Sequence, residues 1–139
     1  MISATTALRL KQAGLTWQPA LMDFFAILDR DMDDKVFVIS DMLVTVDLLQ
    51  GLQVVSFQGA SEWALDSLVT TEAIWLPSEE QLRKLLEAAL ISEGNINLQL
   101  TSHFDSCRCE LVFRGHFLTF EASDACEAYA AALLYILEH

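Results

Sequence analysis

The chain has 139 residues, 53% of them hydrophobic, and sets 20 carboxylates against 8 lysines and arginines, for a formal net charge of −12. That length suits one domain and that apolar content excludes intrinsic disorder, while the basic residues are too scattered along the chain to form a stripe for a phosphate backbone, which excludes nucleic acid as a partner. The longest apolar run, Ala128 to Leu137, falls short of the roughly 20 residues that cross a bilayer, and MISATTALRLKQ has no apolar signal-peptide core, so no membrane segment and a cytoplasmic location are expected.

Ser3 is placed to cap a first helix in which Ala4, Ala7 and Leu8 share a side, and Gly14 to end it with Leu15 folding back as the hydrophobic contact. The run from Trp17 to Leu28 is aromatic and broken by Pro19. It predicts a loop, with Trp17 exposed beside the proline, feeding a short strand around Phe24 to Leu28. DRDMDD follows, crowding Asp29, Asp31, Asp33 and Asp34 together. Their spacing matches the start of a calcium loop, but Asp34 occupies the position that needs glycine and Ser40 stands where a bidentate glutamate belongs. A solvated acidic turn is therefore expected, with no metal.

Val36 to Ile39, Leu43 to Leu48 and Leu52 to Phe57 are β-branched or aromatic runs separated by the turn signals Ser40-Asp41 and Gln50-Gly51, a pattern that predicts an antiparallel meander. Gly59 leads into Glu62 to Leu68, where Trp63, Leu65 and Ser67 share a face, and Glu72 to Leu76 delivers the chain to a central helix, Ser78 to Ile91. Ser78 and Gln81 have the spacing of a reciprocal capping box. Leu82, Leu85, Leu86, Ala89 and Leu90 make one apolar stripe, and Gly94 is a natural stop. Beyond it, Ile96, Leu98, Leu100 and Phe104 alternate with polar residues, as do Cys107, Cys109, Leu111 and Phe113, with turns at Asp105-Ser106 and Gly115-His116. Ser123 is expected to cap a last helix that is apolar nearly all round, and its small residues Ala128, Ala131 and Ala132 suit either close packing on the sheet or a subunit contact near Tyr135.

The candidate chemistries are sparse. Cys107, Cys109 and Cys126 could be counted with His103 or His116 as zinc ligands, but Cys107 and Cys109 share the core-facing parity of their strand and no C-x2-C spacing occurs, so buried free thiols are expected. Carboxylate pairs such as Glu62 with Asp66, or Asp23 with Asp29, carry no specificity in so acidic a chain, and no histidine stands beside a nucleophile turn. Trp63 and Trp75 suit a core or a pocket wall.

The stretches WQPALMDFFAILDRDMDDKVFVISDM, EWALDSLVTTEAIWLPSEEQLRKLL and ASDACEAYAAALLYIL resemble a family of small bacterial proteins of unknown function, many of which carry the label of pilus assembly proteins of the CpaE type. The resemblance implies a shared fold over most of the chain and carries over no catalytic residue; a GxxxxGK[ST] phosphate loop is absent. The residues together predict a single α+β domain with a mostly antiparallel sheet, an N-terminal helix, a central helix and a buried C-terminal helix. The function expected is that of a non-enzymatic adaptor or immunity-like module without cofactor. It would present Asp29, Asp31, Asp33, Asp34, Trp17, Trp63 and Trp75 to a basic protein partner and assemble as a homodimer. The alternative is a small-molecule-binding domain or weak hydrolase with a pocket near Trp63, Trp75 and the aspartate-rich turn.

Overall fold

The computed structural model describes residues 1–27, 35–39, 44–49, 52–57, 68–69, 73–94 and 97–139. It has the expected α+β architecture of helices with small antiparallel sheets, arranged in two compact units, one of Met1–Leu15 with Pro77–His139 and one of Thr16–Leu76. Asp29, Asp31, Asp33, Asp34 and Trp63 lie outside the described residues.

The first unit holds helix α1 (Ala4–Gln12), helix α2 (Glu79–Ser92), strands β7 (Leu98–Ser102), β8 (Cys107–Phe113) and β9 (His116–Ala122), and helix α3 (Ala125–Glu138). The strands form one antiparallel sheet with β8 in the middle. Helix α3 packs on β8 and β9, and α1 and α2 pack on α3. This explains why α3 is apolar on nearly all sides: Ala128, Ala130 and Ala132 are each 0% exposed and serve close packing inside the unit, whereas Ala131 is only half-buried.

Each helix end has a local chemical cause. Ser3 caps α1 by accepting from the Thr6 N–H at 3.1 Å. At the other end Leu15 N–H donates to Leu10 O and Gly14 N–H to Lys11 O, the paired bonds of a Schellman stop, with Gly14 at φ 110° supplying the left-handed residue. The buried positions of α1 are Ala7 and Leu10 instead of the Ala4, Ala7 and Leu8 side, because Ile2 and Leu10 join Ala7 in the core. In α2 the capping box is complete: Ser78 Oγ accepts from Gln81 N–H at 3.2 Å, and Gln81 Oε1 accepts from Ser78 N–H at 2.9 Å. Leu82, Leu86 and Leu90 are fully buried, with Leu85 and Ala89 flanking them half-buried. The cap of α3 is Asp124, one residue beyond the expected Ser123, and its carboxylate accepts from Glu127 N–H at 2.8 Å.

The β8–β9 turn is Arg114-Gly115, one residue earlier than expected, since Phe113 pairs with His116. Both turn residues have positive φ, 51° and 81°, the combination that matches the right-handed twist of a hairpin. Arginine is an unusual occupant of the first position. Its guanidinium lies 4.8 Å from the centre of the Phe113 ring, donates to His139 O at 2.8 Å and pairs with Glu93 at 3.4 Å. On the inner face of β8, Cys109, Leu111 and Phe113 are buried as alternation requires. Phe104 departs from the pattern. The chain has left β7 at Ser102, and the turn closed by His103 N–H donating to Ser106 O leaves the Phe104 ring fully exposed.

The second unit contains two three-stranded antiparallel sheets. One is ordered β2 (Phe37–Val38), β1 (Phe24–Ile27), β6 (Ala73–Leu76), and the other β3 (Val44–Leu49), β4 (Leu52–Phe57), β5 (Leu68–Val69). The expected meander is thus divided. The first of its three runs pairs back onto β1, while the second and third pair with each other from Val44↔Phe57 to Leu49↔Leu52.

Replacing Leu86, which is 0% exposed, with alanine should cost about 3 kcal/mol in urea unfolding, whereas Ser78→Ala should cost about 1 kcal/mol. Equal losses for the two variants would contradict a unit stabilised mainly by the stripe of α2.

Candidate functional site

The candidate site lies at the start of β1. Across the β2–β1–β6 sheet, Phe37, Phe25 and Trp75 stand directly opposite one another, because Phe25 pairs with Phe37 on one side and with Trp75 on the other. Phe25 and Phe37 are stacked at 5.4 Å between ring centres. Trp17 covers the row. Its ring is parallel to Trp75 within 9° at 6.5 Å and lies 5.7 Å from Phe25. Phe25, Ile27, Ile39 and Ala73 form the buried cluster beneath.

Asp23, only 5% exposed, fixes Trp17 in place. Its Oδ2 accepts from Trp17 Nε1 at 2.9 Å and from Ala20 N–H at 3.1 Å. A buried carboxylate has to be satisfied in this way, since an unpaired one would be expelled or neutralised. Trp17 is therefore half-buried and hydrogen-bonded, not the free loop indole expected beside Pro19. Pro19 does not expose it, because the chain bends back within four residues and Asp23 recaptures the ring. Trp75 has the opposite situation. Its Nε1 is the only buried side-chain nitrogen or oxygen among the described residues with no hydrogen-bond partner.

The bend has a specific geometry. Asp23 N–H donates to Ala20 O at 3.2 Å, closing a turn with Leu21 and Met22 at its centre. Met22 N–H donates to Ile39 O at 2.8 Å, and Ile39 N–H donates to Asp23 O at 3.0 Å, so two residues of one strand face one of the other. This is the hydrogen bonding of a β-bulge whose first residue is left-handed, a position that normally takes glycine. Met22 occupies it at φ 70°. For a residue with a Cβ that conformation costs roughly 1–2 kcal/mol. Leu21 and Met22 are nevertheless 62% and 69% exposed. Sequence reasoning missed this turn. An aspartate inside the otherwise apolar run ALMDFF was its one visible signal.

The first unit offers a cleft of about 260 Å³ between α1, β9 and α3, with Thr6, Arg9, Phe120, Glu127, Tyr135 and Glu138 in its wall. Glu127 is committed to structure. Its Oε1 accepts from Ser3 N–H at 2.8 Å and its Oε2 from the Thr6 hydroxyl at 2.9 Å, tying α1 to α3. Tyr135 is fixed between Phe113, Phe120 and the stacked His139 ring.

The cysteines are free, with Cys109 and Cys126 buried and Cys107 half-buried. Burial pushes the Cys109 thiol up to about 11, with the Glu110 carboxylate adding to the shift. Burial likewise raises the Tyr129 hydroxyl above its ordinary value. Both stay protonated near neutrality. Among the described residues, no group of three histidine, cysteine or acidic side chains is placed to hold a metal ion, and no helix is long and apolar enough to cross a membrane.

No protein-family model, curated protein or solved structure matches the chain.

Two outcomes check the site. Asp23→Ala leaves the Trp17 indole N–H and the Ala20 N–H without their acceptor and should cost about 2–4 kcal/mol, with a red-shifted tryptophan emission; an unchanged spectrum would mean that Asp23 does not hold the ring. At pH 8 only roughly one Cys109 in a thousand is a thiolate, so a thiol reagent should modify Cys107 first and Cys109 only on unfolding. An unfolded chain loses this proton at lower pH than the folded one, so the contribution of Cys109 is complete below the ordinary thiol range and declines as pH rises through it towards 11.

Proposed function

We propose that the chain is a non-enzymatic interaction module, adaptor- or immunity-like, whose acidic unit engages a basic protein partner. The observation that carries this reading is the uneven distribution of charge. Thr16–Leu76 contains ten carboxylates against two basic residues, Arg30 and Lys35, while the remainder contains ten against six. Four of those six, Arg83, Lys84, Arg108 and Arg114, are in ion pairs with glutamates on their own unit. The surplus negative charge therefore belongs mainly to one unit, where it can steer a cationic surface from a distance.

Binding of a small molecule is the second reading, and the cleft beside Arg9 is the feature that favours it. At about 260 Å³ it is smaller than the about 300–1,000 Å³ usual for ligand pockets, and both oxygens of its Glu127 are already in use. The interaction reading is preferred on that ground. Homodimer assembly belongs to the same proposal; Ala128 and Ala132 are buried within the unit, which leaves the half-buried Ala131 and Tyr135 as the part of α3 nearest a contact.

Affinity for a basic partner captured from cell extract should fall steeply as salt rises from about 0.05 to about 0.5 M, where the screening length shrinks to a few ångströms. The Asp29→Asn, Asp31→Asn, Asp33→Asn, Asp34→Asn quadruple variant halves the net charge of that unit and should flatten the dependence. Binding indifferent to both salt and these substitutions would refute the acidic surface as the recognition element. Light scattering at micromolar concentration should return twice the mass of one chain, and a single-chain mass that persists at tenfold higher concentration would remove the dimer from the proposal.

A further inference from the structure

Strand β9 ends its sheet, and the edge it leaves open is unguarded. Sheet edges are normally kept from pairing by lysine, proline, a bulge or very short length. β9 has none of these: it runs seven residues, HFLTFEA, and pairs with β8 without a bulge from Phe113↔His116 to Cys107↔Ala122. Its one carboxylate, Glu121, is already paired with Arg108 at 2.9 Å. Val112 N–H donates to Asn97 O at 3.3 Å, so Val112 turns its backbone groups towards β7 and, by the alternation of an antiparallel ladder, Phe117 across from it turns its own outwards. Thr119 and Glu121 follow at the same parity. All three are exposed, Phe117 to 66%, and among the described residues no strand pairs with this edge.

We infer that β9 is the surface on which a second copy of this chain docks, antiparallel about a twofold axis at Thr119, so that the β7–β8–β9 sheet continues into that of its partner. This rests on the homodimer reading and adds to it the strand and the register. The edge is complementary to itself. About that axis Phe117 and Glu121 of one protomer lie opposite the partner's Glu121 and Phe117, and Thr119 lies opposite Thr119, each pair free to exchange backbone hydrogen bonds. No like charges are opposed. On the inner face Leu118 and Phe120 meet the partner's Phe120 and Leu118, apolar on apolar, beside the cleft whose wall holds Phe120, Ala131 and Tyr135. Leu118 and Phe120 are only half-buried where Leu111 and Cys109, their neighbours on β8, are buried, and that uncovered area is what a further strand would cover. The same cleft carries Arg9 and Glu138, neither with an ion-pair partner among the described residues, so the patch brings opposite charges to its own copy. Reciprocity of this kind is what a twofold contact requires, and it favours a second copy over a foreign strand.

Amide hydrogen exchange at two protein concentrations tests the assignment residue by residue. The N–H groups of Phe117, Thr119 and Glu121 should exchange freely in dilute solution and become protected as the concentration rises, whereas those of Leu118 and Phe120, bonded to β8, should be protected throughout. Thr119→Pro removes an N–H that points away from β8 and leaves the ladder intact, a placement at which an edge strand tolerates proline. It should keep the far-ultraviolet circular dichroism of the wild type and hold its dimer at least roughly tenfold more weakly by light scattering. Because the Thr119 side chain is exposed, Thr119→Lys and Thr119→Glu provide variants that disturb the fold still less. Each alone sets like charges opposite one another and should weaken the dimer about fivefold, and an equimolar mixture of the two should restore it.

A single-chain mass for the wild type at every concentration would overturn this contact together with the homodimer reading. A dimer of undiminished strength in Thr119→Pro and in both charged variants, or concentration-dependent protection at Leu98 and Leu100 of β7 in place of β9, would overturn the contact and leave the homodimer standing on another surface. A mixture of the charged variants that is no tighter than either alone would defeat the register centred on Thr119.

Discussion

Helix α3 buries most of its surface on more than one side, and the unit around it is arranged to meet that constraint. A 14-residue helix that buries Cys126, Ala128, Tyr129, Ala130, Ala132, Leu133 and Leu134 must be covered on more than one side. The sheet covers one side through β8 and β9, and α1 and α2 cover the others. Alanines at the fully buried positions let these neighbours approach closely, and the larger Leu82, Leu86 and Leu90 of α2 supply apolar volume from the opposing helix. Glu127 then fastens α1 with two hydrogen bonds.

The Thr16–Leu76 unit is built on a different principle. Its best-defined part depends on one buried carboxylate. Asp23 is stabilised by N–H donors that come from the bend it creates, so the acid and the bend require each other. The aromatic row Phe37–Phe25–Trp75 gives Trp17 a surface to lie on, and the Trp17 N–H in turn satisfies Asp23. The unpartnered Trp75 Nε1 and the left-handed Met22 show that this arrangement is not optimised for stability alone.

Local signals were legible in the sequence where local chemistry decides the outcome. The capping box at Ser78 and Gln81, the Gly14 stop and the parity of Cys109, Leu111 and Phe113 each depend on residues a few positions apart. Strand partnership was not legible. The run around Phe37 resembles those around Val46 and Val54, and only the distant β1 determines that it leaves the meander. The environment of Trp17 was hidden for a related reason, since a loop containing proline gives no indication that an aspartate six residues on will recapture the indole. Met22 was unreadable because its position contradicts the local rule, and glycine there would have announced the bulge.

The order in which the chain leaves the ribosome bears on the split of the first unit into residues 1–15 and 77–139. Helix α1 is synthesised well before α3, yet the glutamate that holds it lies 124 residues from Ser3 and 121 from Thr6. Closing a free loop of that length costs about 4 kcal/mol in chain entropy. The Thr16–Leu76 segment is contiguous and can fold while translation continues, whereas α1 must wait, with Ile2, Ala7 and Leu10 uncovered, until α3 emerges. During that interval the apolar side of α1 has no native partner to cover it.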